Sequence, residues 1–545
     1  MPTTTIPLVT PESRRGLGEI LSTTKDSYLS ACVAVKVINN ATNSASFYIE
    51  KRPGLLSAGV VSSGNVGTAI FNSPSRAAQV YAFGGSNSTI FVDSTNAGTV
   101  TGVVNFISET VIGGITYFLL AVTGSGWYLA HDATADTSFT GDTHTNTTID
   151  NLAGHSGIYV GQEISGTGIV AGTRIATRTP DTSSPTSITV DTATTATNAG
   201  VTITKTPVAK IIDADFPTTA VGGFAELDGY IFRATSTARV YQSDLNSVTS
   251  WSASNYITAN IQTDTGVDLI KYKNTIAAFG SSSIEFFSNV GNPSGSVLAS
   301  RKDLFTNIGI YPTGDAKKVF QIQDEVFWIG SDFNIYTLNG FAPSSVSKQA
   351  MTIAGTGFAP SYLSAFKIGT DFIISCTTGS VSGASVDKWY SRTNDLWYEP
   401  NFGVGSMIFV PIWATATSVV GGGVSANNTD GKVFSLKSTT YQDNGSAFTM
   451  TIQTEPKVLN KGRGFKINSI ELLADTQSSG STTLEISRND YGSFQTLGSF
   501  PLTSNRKRIT RGGYCRHHAI FRLTDSGNQA WRGQAIVVDW EPCAA

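Results

Sequence analysis

Residues 301 to 351 read RKDLFTNIGIYPTGDAKKVFQIQDEVFWIGSDFNIYTLNGFAPSSVSKQAM. At the centre, EVFWIG at 325–330 turns through Ser331 and Asp332 into NIYTL at 334–338. Apolar and aromatic residues fill both arms and the turn is small and polar, which predicts a β-hairpin. The unit recurs. VYAFG at 80–84 turns into TIFV at 89–92, YFLLAV at 117–122 into WYL at 127–129, GYIF at 229–232 into ARVY at 238–241, and TIAAFG at 275–280 into IEFF at 284–287. Beyond the central hairpin, FIISC at 372–376 leads more slowly to VDKWY at 386–390, and SVVGG at 418–422 turns at Asp430-Gly431 into KVFSL at 432–436.

Turn centres fall near 86, 123, 236, 282, 332, 380 and 427, in steps of 37, 113, 46, 50, 48 and 47 residues. The long step contains residues 133 to 205, which differ in composition; without those 73 residues it is 40. An all-strand repeat of roughly 40 to 50 residues marks a β-propeller, whose blades cannot bury both faces alone and cover them by radial stacking. The alternative is a set of unrelated hairpins in one or two sandwiches. The expected fold is therefore all-β: a propeller of six or seven blades over 61–132 and 207–444, an inserted small β domain at 133–206, and a separate C-terminal unit at 445–545. Residues 1–60 form an N-terminal arm with strands, able to supply strands for ring closure.

The insert holds 20 threonines and three basic residues between 133 and 205. Its GQEISGTGIVAGTRI at 161–175 resembles a module common in phage tail and virion proteins, of the form G-x-x-V-S-G-x-G-I-x-x-G-T-x-I. Alternating β-branched residues punctuated by glycine describe a small β unit. In the C-terminal unit, FTMTIQT at 448–454, SIELL at 469–473, TLEIS at 483–487, AIFRL at 519–523 and AIVVD at 535–539 alternate clearly, as in a β-sandwich.

The length of 545 residues suggests three or four domains. A hydrophobic fraction of 40% supports sizeable cores, and a net charge of −3 argues against a broad nucleic-acid-coating surface. Cys32, Cys376, Cys515 and Cys543 have no metal-ligand spacing and read as buried free thiols. The start, MPTTTIPLVTPESRRG, has no apolar signal core, and no apolar run is long enough to span a membrane. Folding in a reducing cytoplasm is expected.

Few constellations carry chemistry. SRNDYGSF at 487–494 approximates the Asp-box turn of sialidase propellers, one residue out of register and outside the repeats, so a hairpin turn is the better reading. No facing carboxylate pair stands out. Adjacent His517 and His518 would point to opposite faces of a strand and would rarely share an ion. Gly421-Gly422-Gly423 lacks the Lys-Ser/Thr of a phosphate loop. No Gly-x-Ser-x-Gly elbow occurs. No cofactor, no metal and no enzyme activity are expected. The noticeable feature is a basic run: Arg506, Lys507, Arg508, Arg511, Arg516 and Arg522 lie between 503 and 524 without one acid. It reads as a solvated sandwich edge, a docking site for an acidic protein surface or, less favoured, a DNA contact.

One ordered series supports a resemblance. Tyr241-Gln-Ser-Asp244, Trp251, the 276–280 and 284–287 strands, Gly309-Ile310, Val326-Phe-Trp-Ile-Gly330, Ile335-Tyr336, Gly340, Pro343 and Val346-Ser347 resemble the packaged-DNA stabilisation, or tail nozzle, proteins of short-tailed phages. The resemblance covers about 240 to 350; the N-terminal arm does not align and the Thr-rich insert is not general to the family. It implies a virion propeller protein, in a ring of six copies below portal and tail adaptor. Such a ring forms the distal channel through which DNA leaves, helps retain packaged DNA, and meets a tail fibre, tailspike or needle. A phage carbohydrate-binding or depolymerase propeller is the competing class, and a bacterial surface adhesin a third.

Overall fold

The computed structural model describes the chain apart from residues 1, 9–27, 31, 40–43, 64–66, 74, 77, 85, 94, 135–136, 312–317, 323–324, 333, 348–359, 369–370, 379–386, 395, 399, 401–407, 415–418, 425–429, 438, 490 and 544–545. The hairpin repeat becomes seven four-stranded antiparallel blades, and each hairpin read from the sequence is the middle pair of its blade. Blades 1 to 6 cover 67–101, 104–130 with 198–210, 220–258, 266–300, 320–347 and 360–398. Blade 7 takes three strands from 408–437, and its fourth is Gly54–Ser63 from the other end of the chain. The protein is an all-β propeller with an inserted β domain and a C-terminal sandwich. The turns expected near 380 and 427 and the side chains of Cys32 and Cys376 lie outside the described residues; Cys515 and Cys543 are free thiols.

The chain divides into two compact bodies, one of residues 61–345 with 429–431, the other of 1–60, 346–428 and 432–545. In the first, two-residue turns set the strand pairs. Gly113 and Gly114 have φ of 58° and 79°, Asp228 and Gly229 of 54° and 81°. Positive φ at both central positions gives the turn whose twist matches the flanking strands. The stretch from 301 to 351 supplies the packing between blades 4 and 5. Trp328 stacks on Tyr336 at 5.7 Å and meets Phe279 of blade 4 edge-on at 5.4 Å. Asp332 closes the turn by accepting from Asn334 N at 3.1 Å and Tyr336 Oη at 2.6 Å.

Blades are also joined by buried polar groups. Asp268 of blade 4 accepts four backbone N–H groups: its neighbour Leu269 at 2.8 Å, Gly223 of blade 3 at 2.9 Å, and Lys318 and Val319, leading into blade 5, at 2.9 and 3.0 Å. Gln242 of blade 3 accepts from Ser296 Oγ and Val297 N of blade 4, each at 2.9 Å.

Glu285, 1% exposed, accepts from Ile261 N at 2.7 Å, while its Oε2 is buried without a partner. Burial raises its pKa above the usual carboxylate value, opposed in part by the Ile261 N–H and reinforced by Asp264. An acid whose folded pKa is raised contributes stability fully below its unfolded value and loses it as pH rises through the folded one. Glu285→Gln should therefore be nearly neutral at about pH 4 and stabilising at about pH 8. Urea unfolding at the two pH values checks this; an equal effect at both would refute it.

The insert has its own core of Phe139, Ile149, Ile158, Ile164, Ile175, Ile188, Val190, Val201 and Ile203. It is not loosely tethered. Strand Asn198–Lys210 pairs with Ser138–Thr143 of the insert along one part and with Trp127–Leu129 of blade 2 along another. Tyr128 Oη donates to Val160 O, Tyr159 Oη donates to Asp132 at 2.6 Å, and buried Lys205 Nζ donates to the carbonyls of Ala133 and Gly157, each at 2.9 Å. The Arg174 guanidinium lies 5.1 Å from the Trp127 ring. Replacing 133–205 by a short Gly/Ser bridge should leave a soluble, cooperatively unfolding propeller. The loss of Tyr159 from its edge-on contact with Tyr117, and of Arg174 from over Trp127, should lower its stability by roughly 2–4 kcal/mol. Loss of cooperative unfolding would refute an independent insert.

In the second body the sandwich draws on both chain ends. One sheet joins Cys32–Asn39, Ser44–Lys51, Arg532–Pro542, Phe465–Ala474 and Lys507–Cys515, with Thr3–Pro7 also on Arg532–Pro542. The other joins Tyr28–Ser30, Met450–Gln453, Ile520–Asp525, Ser481–Ser487 and Gln495–Pro501. Of the described strands in the N-terminal segment, Gly54–Ser63 alone enters a blade. Trp531, buried between the sheets, donates its Nε1–H to Thr482 Oγ1 at 2.7 Å.

Candidate functional site

Strand Lys507–Cys515 carries most of the basic run and is the outermost strand of its sheet, paired with Phe465–Ala474. Alternation sends Lys507 and Ile509 inward and Arg508 and Thr510 outward. A bulge then sets Arg511 and Gly512 against Asn468. Arg511 takes φ 85°, and a Cβ on Gly512 would lie 2.4 Å from Ile467 Cβ, so glycine is required at 512. The bulge re-aims everything after it.

The six cations separate into two groups. Lys507 is 1% exposed; its Nζ donates to Ser504 O at 2.9 Å and Ala474 O at 3.0 Å, and burial pulls its pKa down. Arg506 pairs with Glu471 at 3.0 Å. Arg508 donates to Ser469 Oγ at 2.6 Å and lies 3.9 Å from Asp539. Arg522 pairs with Glu485 at 2.6 Å and stacks 3.8 Å over Phe494. These four are occupied within the sandwich. Arg511 and Arg516 are exposed and have no acidic partner among the described residues.

Two residues that the linear run did not include join them. Phe465 pairs with Cys515, which brings the loop before Phe465 beside the end of the basic strand. That loop carries exposed Lys461 and Arg463, also without acidic partners among the described residues. His517 Nδ1 lies 3.1 Å from Gly462 O, and Gly464 lies under the Tyr514 ring, where a Cβ would meet Tyr514 Oη. Tyr514 itself is 55% exposed. Lys461 and Arg463, in the loop before Phe465, and Arg511 and Arg516, on either side of exposed Tyr514 in the chain, thus lie at neighbouring positions along one edge of the sandwich. The sequence signal for the missing pair is the Asn-Lys-Gly-Arg-Gly stretch at 460–464, which needs the strand pairing to be read as part of the same patch. A corner of uncompensated arginine and lysine beside an aromatic ring suits an acidic protein surface.

The remaining candidates hold structural positions. Asn489 closes the turn of the approximate Asp-box, accepting from Ser493 N at 3.0 Å, with Tyr491 at φ 67°; Asp490 lies outside the described residues. Gly421, Gly422 and Gly423 lie in strand Val419–Val424. Among the described residues no group of three or more His, Cys, Asp or Glu is placed to hold a metal ion, and no helix is long and apolar enough to cross a membrane.

Comparison with known proteins adds one sequence relationship. The family model described as "Bacteriophage P22 Gp10, beta-propeller" matches residues 158–354. No curated protein matches the chain. Among solved structures, BBS1N in complex with ARL6DN is 9% identical with a TM-score of 0.35, covering 71% of this chain and 98% of that one. BamB from Moraxella catarrhalis is 9% identical with a TM-score of 0.32, covering 75% and 97%. An exo-beta-1,3-galactanase from Phanerochaete chrysosporium is 12% identical with a TM-score of 0.21, covering 58% and 95%. At these scores the three structures carry no argument about function. The family match takes in the blades that hold the 241–347 motif series, and it supports a phage tail-associated β-propeller protein, a structural component of the virion.

Proposed function

We propose that this chain is a tail nozzle: a ring of six copies stacked on the tail adaptor below the portal, enclosing the DNA exit channel. It retains packaged DNA, serves as the conduit during ejection, and meets a fibre, tailspike or needle at its far end. The observation that carries this reading is the family match over 158–354. Its charge agrees. A conduit must enclose DNA without gripping it, and a net charge of −3 over 545 residues suits that better than a basic chain would. A ring of identical subunits uses head-to-tail contacts that close. The protein works without catalysis.

Negative-stain imaging of the purified protein, alone and with adaptor-bearing heads, tests the ring. Six-fold rings on the adaptor are expected, and protein that stays monomeric in both conditions would overturn the reading. Incubation of the pure protein with host surface polysaccharide should release no reducing sugar; release would promote the depolymerase alternative.

A further inference from the structure

The near-neutral net charge conceals two opposite patches. The first is the Lys461, Arg463, Arg511 and Arg516 corner beside Tyr514. The second lies on the insert. Asp142 and Asp150 face each other directly across neighbouring strands. Like charges so placed oppose sheet formation. Within the insert, Asp150 lies 3.0 Å from His144, and Asp142 accepts from Asn151 at 2.7 Å and from Gly200 N at 2.6 Å; the histidine adds charge only when protonated. Asp191 is exposed beside the same sheet and accepts only a backbone N–H, from Arg174 at 2.8 Å. The insert has no cation to spare: Arg174 pairs with Glu163 at 2.7 Å, Arg178 pairs with Asp181, and Lys205 is buried on carbonyls. Each of these cations is occupied, so half-buried Asp142 and Asp150 and exposed Asp191 have no lysine or arginine partner among the described residues.

We infer that the acidic face of the insert in one copy docks on the basic Tyr514 corner of the sandwich in the next. The occupant of that corner is therefore a second copy of this chain. The contact is head-to-tail, since the two patches differ, and such contacts close into rings or run on as filaments. Complementary charge steers the encounter and fixes register, and the exposed tyrosine beside the cations supplies a rigid anchor. The inference rests on the ring reading and gives it a specific interface.

The test uses two full-length variants. In the first, Asp142, Asp150 and Asp191 become lysine. In the second, Arg463, Arg511 and Arg516 become glutamate. Sedimentation velocity measures self-association. Each variant alone should associate about tenfold or more weakly than wild type, because like charges now meet. An equimolar mixture should recover most of the loss, since the lysine-bearing insert meets the glutamate-bearing sandwich and the remaining acidic insert meets the remaining basic corner. Recovery on mixing supports a contact between copies, because an intramolecular contact would not recover. If the lysine variant misfolds by circular dichroism, Asp142→Asn, Asp150→Asn and Asp191→Asn keep the side-chain shapes. That set should still weaken association and flatten its salt dependence; no change would overturn the inference. Variants that associate like wild type, or a mixture that fails to recover, overturn this interface and leave the ring standing. Wild type that never associates, even with adaptor-bearing heads, overturns the ring and this interface with it.

Discussion

Replacing Arg52 with alanine should cost the body that contains the sandwich about 3–5 kcal/mol, because it strands a buried carboxylate. Arg52 and Asp443 are both fully buried and form a two-pronged pair. Arg52 Nε also donates to Pro400 O at 2.6 Å, and its guanidinium lies 3.8 Å over the Phe448 ring. Asp443 further accepts from Leu55 N at 3.0 Å. One residue earlier, buried Lys51 pairs with Asp525 at 2.9 Å and donates to Gly527 O at 2.6 Å. These groups sit where the chain passes from sandwich strand Ser44–Lys51 to blade strand Gly54–Ser63. Burial pulls the pKa of both Lys51 and Arg52 down, and Asp525 and Asp443 oppose that pull. Single removal of either Arg52 or Asp443 leaves the other charge uncompensated. Arg52→Met with Asp443→Leu removes both and should cost far less than either alanine. Urea unfolding of the four proteins checks this; if Arg52→Ala moved stability by less than about 1 kcal/mol, the pair would not be holding the crossing.

The second large effect belongs to Asp268. Alanine there would leave four backbone N–H groups, from three successive blades, without their acceptor. It would also remove the charge opposite Arg233, whose pKa burial pulls down to about 10 while Asp268 pushes it up. Arg233 itself donates to Gly222 O and, across to blade 2, to Val122 O at 2.9 Å. A loss on the order of 4 kcal/mol or more is expected, from unsatisfied buried donors and an unpaired buried cation. Asp268→Asn keeps one accepting oxygen and should cost less than alanine. Hydrogen exchange at Gly223 and Val319 reports the same event locally. Protection at both sites unchanged in Asp268→Ala would sink the claim that this carboxylate ties blades 3, 4 and 5 together.

The sequence by itself determined the blades. A hairpin is local: period-two alternation and a small polar turn lie within about a dozen residues, so their spacing counts the repeats. Excising the Thr-rich segment restored that spacing, and the segment does carry its own apolar core. Completing the seventh blade, however, depended on a strand from 54–63 meeting one from 430–437, a pairing no local pattern encodes. The sandwich shows the same division. Its C-terminal strands were legible, while its partners Cys32–Asn39 and Ser44–Lys51 lie more than 400 residues away in sequence. Charge was the least legible. Six cations in a row looked like one patch, but Glu471, Asp539 and Glu485 neutralise or engage three of them from other strands, and Lys507 points inward. Strand pairing then brought Lys461 and Arg463 beside Arg516. Sequence order sets which charges exist; only the tertiary structure decides which are left unpaired, because a charge is cancelled by whatever lies within a few ångströms of it, wherever that lies in the chain.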